Sequence, residues 1–112
     1  MSASNRPDDR AGLVFGALAD PNRRFMVRAL ADGGSITASQ LAERLPITRQ
    51  AVAKHLGALG EAGLVEASRE GREVRYRLTP DSMGDAMEWM ADVGAQWDRR
   101  LAALQERLSR RG

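Results

Sequence analysis

Cysteine is absent from the 112 residues, which excludes disulfides, thiolate metal sites and a cysteine nucleophile. Histidine and lysine occur once each, as His55 and Lys54. Aromatic residues make up only 4%, so the core of a chain that is 43% hydrophobic must come mostly from Leu, Val, Ala and Met. No apolar run is long enough to cross a bilayer. The opening "MSASNRPDDRAG" lacks the apolar stretch of a secretory signal, and the expected compartment is the cytoplasm. Also missing are "GxSxG", a phosphate-binding glycine loop and a paired-carboxylate pattern, and His55 has no second histidine to work with. An enzyme is therefore not expected, nor a cofactor.

What is abundant is arginine. Lys54 apart, all 17 basic residues are Arg, yet 15 acidic residues reduce the net charge to +2. Total charge says little about nucleic acid; position must carry that argument.

The length suits one domain with one modest core. Residues 1–8 are small, polar and proline-containing, and predict a frayed, disordered tail. From Asp9 to about residue 19 a helix carries Leu13, Val14, Phe15 and Leu18 on nearly all sides, more apolar surface than one small domain covers. Asp20-Pro21 is an N-cap and first-turn pair that opens a second helix, which Gly33-Gly34 ends. "SIT" reads as a very short strand. Thr37 with Gln40 forms a capping box for a third helix, "ASQLAERL". Pro46 breaks the chain, Thr48 caps a fourth helix from Arg49 to about Ala62, and Gly63 closes it.

In "LVEASREGREVRYRL" the alternation of Val74, Tyr76 and Leu78 with Arg75 and Arg77 marks a half-buried strand, and Glu70-Gly71-Arg72 makes a hairpin turn. The last helix is expected over residues 82–108. Met83, Met87, Met90, Gly94, Trp97, Leu101, Leu104 and Leu108 recur at alternating steps of four and three, a heptad seam that requires a helical partner. Gly94 weakens a helix interior and marks a close approach or a slight bend.

Two short helices around a tight turn, followed by an arginine-rich hairpin, are the parts of a winged helix-turn-helix. The predicted fold is mainly α with a small β-hairpin (α+β), in the order α-α-(short β)-α-α-β-β-α, as a single domain over residues 9–112. On a wheel, the fourth helix turns Val52, Leu56 and Leu59 inward and Gln50, Lys54 and Gly57 outward, with Ala53 beside them. That outer face offers an amide suited to adenine, an ammonium suited to guanine or phosphate, and a methyl suited to thymine. Thr48 and Arg49 sit at the helix N-terminus, which favours phosphate. Lys54 and His55 are not a pair: His55 falls at the core boundary, where it hydrogen-bonds within the domain or reaches a flanking phosphate. The plainer reading of the outer face is a solvated one. In the hairpin, Arg69, Arg72, Arg75 and Arg77 compete with Glu66, Glu70 and Glu73, so a salt-bridged hairpin stands beside contact with DNA.

The stretch "TRQAVAKHLGALGEAGLVEASREGREVRYRL" resembles the ArsR/SmtB transcription regulators. The features are His-Leu, two residues, Leu, then Ala-Gly-Leu-Val, a Gly-Arg wing tip and a Tyr-x-Leu strand, with "LADPNRR" upstream. The likeness covers about residues 9–108. It implies a homodimeric DNA-binding regulator, usually a repressor of its own or a neighbouring operon, dimerised through helices at about 9–19 and 82–108. On that reading the DNA-facing residues are Thr48, Arg49, Gln50, Ala53, Lys54, His55, Arg69, Arg72 and Arg75. The dimer interface holds Leu13, Phe15, Met83, Met87, Met90, Gly94, Trp97, Leu101 and Leu104. Where metal-sensing members carry Cys-x-Cys-Asp-Leu, this chain has Thr37, Ala38, Ser39, Gln40 and Leu41, so no metal site is expected. "MEWMADVGAQWDRRLAAL" is similar to a non-metal subgroup with tryptophans in the last helix. The expected partners are double-stranded operator DNA and a second copy; an effector, small molecule or protein, stays open. The alternative is a winged-helix module that binds an acidic protein rather than a DNA sequence.

Overall fold

A computed structural model describes residues 7–111; residues 1–6, most of the expected tail, lie outside them. The helix α1 runs Pro7–Ala17, starting two residues before Asp9. Then come α2 (Pro21–Gly33), β1 (Ser35–Thr37), α3 (Ala38–Ala42), α4 (Arg49–Glu61), β2 (Val65–Glu70), β3 (Glu73–Leu78) and α5 (Pro80–Arg111). Among the described residues no helix is long and apolar enough to cross a membrane.

Local chemistry explains the breaks. The turn between α1 and α2 is closed by Arg24, whose Nη1 donates to the carbonyls of Leu18 at 2.7 Å and Ala19 at 3.1 Å. Thr37 and Gln40 form the reciprocal capping box, Thr37 N donating to Gln40 Oε1 at 2.9 Å and Gln40 N to Thr37 Oγ1 at 3.1 Å. The helix α3 ends at Ala42, three residues short of the sequence expectation. The chain must extend before Pro46, and the residues between unwind into a turn.

The sheet has three strands in the order β1-β3-β2, one more than the hairpin read from sequence. β1 adds antiparallel to β3, with Ile36 opposite Tyr76. Three residues give too little alternation to announce a partner. At the wing tip Gly71 has φ +64°, the positive value that a tight hairpin turn needs at its first central residue. Val74, expected inside, is 40% exposed near that tip, whereas Tyr76 and Leu78 are half-buried toward the base.

The core gathers Val14 from α1, Met26 and Leu30 from α2, Leu41 from α3, and Val52, Leu56 and Leu59 from α4, with Leu64. Each side chain contributes about 1.5–3 kcal/mol by leaving water. Three of these eight lie on α4 at steps of four and three, so the helix's orientation is fixed by its own buried stripe.

The end of α4 is fastened to the start of α5. Gly63 adopts φ +76°, and its carbonyl accepts from Thr79 Oγ1 at 2.5 Å, while Thr79 N donates to Leu64 O at 2.9 Å. A Cβ on Gly63 would collide with Ser82 Oγ. Gly63→Ala is therefore expected to destabilise the protein by roughly 1–3 kcal/mol, from backbone strain alone, with the clash adding to it. Thermal unfolding followed by circular dichroism checks this; an unchanged midpoint would contradict the role of this joint.

The helix α5 has 32 residues, about 48 Å at the standard rise, three longer at its C-terminal end and two at its start than expected. Its first half lies against α1. Arg10 Nε pairs with Asp85 Oδ2 at 2.6 Å, Ala86 is buried, and Phe15 meets Trp89 edge to face at 5.4 Å between centroids. Phe15, expected at a subunit interface, is thus half-buried within its own protomer. From Gly94 to Arg111 every residue is exposed.

Candidate nucleic-acid interface

Thr48 opens α4 in extended conformation, and its Oγ1 accepts from Ala51 N at 3.0 Å. Replacing Thr48 by Ala should cost about 1 kcal/mol through loss of this cap, measurable by chemical denaturation. With Val52, Leu56 and Leu59 all at 1% exposure or less, the opposite face is fixed outward. Thr48, Arg49, Gln50, Ala53, Lys54 and Gly57 are all exposed, in agreement with the helical wheel.

His55 is half-buried, off that face. Among the described residues it makes no hydrogen bond. Its charge instead acts on Asp20, the cap of α2. Partial desolvation opposes ionisation of Asp20, but the N–H groups of Arg23 and Asn22 and the charges of His55 and Arg23 outweigh it, so the carboxyl is held below its ordinary range. Asn22 N donates to Asp20 Oδ1 at 2.7 Å and Arg23 N at 3.3 Å. A lowered carboxylate pKa adds stability above the unfolded-state value and loses it as pH falls through the folded value. The native protein should therefore lose stability relative to Asp20→Asn as pH drops below about 4, the ordinary carboxylate range. Parallel acid titrations of the two would show it, and identical profiles would contradict it.

The wing separates into free and committed arginines. Arg69 and Arg72 are exposed. Arg75 is tied down: Nε lies 3.3 Å from Glu73 and 3.5 Å from Glu70, and Nη1 donates to Ser35 O at 3.3 Å and Ser35 Oγ at 3.4 Å. Arg77 pairs with Glu70 and donates to Ser68 Oγ, both at 3.4 Å. Glu70, at the end of β2, reaches both arginines, so the wing holds its own Arg75 and Arg77 by pairing across the hairpin.

Between wing and α4 lies an open cleft of about 370 Å³. Thr37 and Ser39 line it from the start of α3, Arg49 and Ala53 from α4, and Arg72, Glu73 and Tyr76 from the wing. Arg49 and Arg72, 23 residues apart in sequence, thus border one concavity beside the exposed face of α4. Thr37, Ser39 and Tyr76 were not read as site residues. Their place depends on β1 joining β3, which brings the start of α3 beside the wing. Among the described residues no group of three or more His, Cys, Asp or Glu could hold a metal ion.

The comparisons agree with this geometry. A family profile described as a helix-turn-helix domain matches residues 18–67. The transcriptional repressor SdpR of Bacillus subtilis is 34% identical over 88 residues, 79% of this chain and 97% of that protein. The regulator CmtR of Mycobacterium tuberculosis is 40% identical over 91 residues, 81% of this chain and 76% of that protein. Among solved structures, an ArsR-like transcriptional regulator from Rhodococcus sp. RHA1 superposes with TM-score 0.74 at 43% identity, covering 87% of this chain and 91% of that one. The chain belongs to the ArsR/SmtB family of winged helix-turn-helix transcription regulators.

Proposed function

We propose that this protein is a homodimeric, sequence-specific DNA-binding repressor of its own or neighbouring genes, acting in the cytoplasm by binding rather than catalysis. The observation that carries the reading is the outward face of α4. Gln50, Ala53 and Lys54 stand exposed on a helix whose opposite side is locked in the core, with Arg49 and Arg72 across the adjoining cleft. In a major groove Gln50 reads adenine, Lys54 meets guanine or phosphate, and Ala53 meets a thymine methyl. Thr48 and Arg49 hold a phosphate at the helix start. Arg69 and Arg72 of the wing hold the neighbouring backbone, and His55 reaches a flanking phosphate. Arg75 serves the site by fixing wing and β1 together.

Repression is supported by the name of SdpR, a transcriptional repressor. Dimerisation is supported by the exposed seam of α5 and by Leu13 of α1, which is 51% exposed. CmtR of Mycobacterium tuberculosis is a cadmium metal-sensor, whereas this chain has no thiolate to offer; its signal is not a thiolate-bound metal.

The test is fluorescence anisotropy on the DNA immediately upstream of its own coding sequence, with unrelated DNA as competitor and salt varied. Tight binding that survives competitor and weakens as salt rises supports the proposal. Binding abolished by equal amounts of competitor, or no binding, would favour the module that recognises an acidic protein partner.

A further inference from the structure

We infer that the apolar cleft at the joint of α4 and α5 is a binding site for a small, uncharged, apolar effector; the effector role rests on the DNA-binding reading. The cleft encloses about 480 Å³. It is lined by Leu64 after α4, by Leu78 and Thr79 at the end of β3, and by Met83, Gly84 and Met87 in the first turns of α5. That volume falls within the range of about 300–1,000 Å³ in which proteins hold one small molecule.

The lining fixes the chemistry of the occupant. Among the described residues no charged side chain borders the cleft, and its one polar side chain, Thr79, already donates its hydroxyl to the carbonyl of Gly63. An ion would surrender its hydration there with nothing in return, whereas an apolar molecule gains by leaving water. Met83 is half-buried and Met87 is 60% exposed. Their unbranched thioether chains adapt to occupants of differing outline, so the site suits a class of aromatic or alicyclic compounds.

Gly84 points the same way on separate grounds. It lies inside α5, where glycine weakens a helix relative to alanine. Its φ is not positive, and nothing lies within 4 Å of where a Cβ would project. Neither backbone geometry nor packing in the protomer calls for glycine here; the missing side chain leaves one wall of the cleft open. Gly84 also stands roughly 90° around α5 from the heptad seam, at 3.6 residues per turn. The cleft therefore opens on the flank of the seam, and a second copy seated on the seam borders it without filling it.

This position gives the occupant a hold on the DNA-facing helix. The lining spans the joint between the end of α4 and the start of α5, which Thr79 N closes by donating to Leu64 O at 2.9 Å. A molecule that fits only one setting of this joint shifts the angle of α4 against α5, and with it the spacing of the two α4 helices in a dimer.

The probe is N-phenyl-1-naphthylamine, a neutral apolar dye that fluoresces when it leaves water. Saturable binding of one dye per protomer is expected. At saturating dye, affinity for upstream DNA should change at least about fivefold, the lower end of ordinary coupling between sites. Gly84→Leu fills the cleft with a better helix former, so it should weaken dye binding at least about tenfold while the thermal midpoint holds or rises. The DNA affinity of this variant should no longer respond to the dye. Leu101→Asp, on the seam about 20 Å further along α5 than Met87, should keep the dye. No saturable binding, or binding that Gly84→Leu leaves intact, would overturn the site. Loss of the dye in Leu101→Asp would overturn it too, by placing the dye between subunits. Binding at the cleft with DNA affinity unmoved would overturn the effector role. A dye-free protein that does not prefer upstream DNA would remove the DNA reading instead, with the response of dye binding to Gly84→Leu still deciding the site.

Discussion

Replacing Gln50 and Lys54 together by alanine is expected to weaken binding to upstream DNA by about two to four orders of magnitude, with folding unchanged. Each well-placed base contact is worth about 1–3 kcal/mol of discrimination, and a dimer presents both residues twice. Thermal stability should stay within about 0.5 kcal/mol, since both side chains are exposed and removed from Val52, Leu56 and Leu59. The single variants should differ in kind. Gln50→Ala should reduce the margin between specific and unrelated DNA, because an amide reads a base edge. Lys54→Ala, if its ammonium meets phosphate, should weaken all DNA alike and lower the salt slope by about one per protomer. Gel shifts on both DNAs, repeated at several salt concentrations, separate the cases. Retention of full affinity by the double variant would mean that the outer face of α4 is an ordinary solvated surface.

Replacing Leu101 by aspartate should convert the dimer to monomer at micromolar concentration, a loss of at least a hundredfold in dimer affinity. Leu101 is half-exposed in the protomer and lies in the stretch from Gly94 to Arg111 where every residue is accessible. The winged body therefore loses no packing. In the dimer a carboxylate would be placed in an apolar layer twice over, where desolvation without a partner is costly. Sedimentation velocity reads the change directly. Helicity should fall as well, because most of a helix's stability in a protein comes from packing of its amphipathic face, while the unfolding of the winged core remains cooperative. DNA affinity should drop with dimerisation, since a monomer reaches only one half-site. A fully dimeric Leu101→Asp protein would place the interface elsewhere.

The elements that could be read in the sequence are those whose signals are local. The caps at Asp20, Thr37 and Thr48 set three helix starts within a residue, because a side-chain oxygen and a backbone N–H two or three positions away suffice. The face of α4 followed from its period. The heptad of α5 was a signal for a helical partner, though not for how far the protomer leaves it exposed: from residue 94 to residue 111 every residue is accessible. What could not be read depends on contacts distant in the chain. The pairing of β1 with β3 joins residues about 40 apart, and with it come Thr37, Ser39 and Tyr76 at the cleft and the tethering of Arg75 to Ser35. Phe15 and Leu13, two residues apart on one helix, looked equally available for an interface; only the position of Trp89 takes Phe15 inward.

The central claim, that α4 reads DNA as one of a two-fold pair, is tested most directly by hydroxyl-radical footprinting on the protein's own upstream region. Two protected patches related by a dyad are expected, with half-site centres one turn of DNA, about 34–36 Å or 10 base pairs, or a multiple of it apart, and both patches should vanish with Gln50→Ala/Lys54→Ala. A single unsymmetric patch, or protection that the double variant leaves in place, would contradict it.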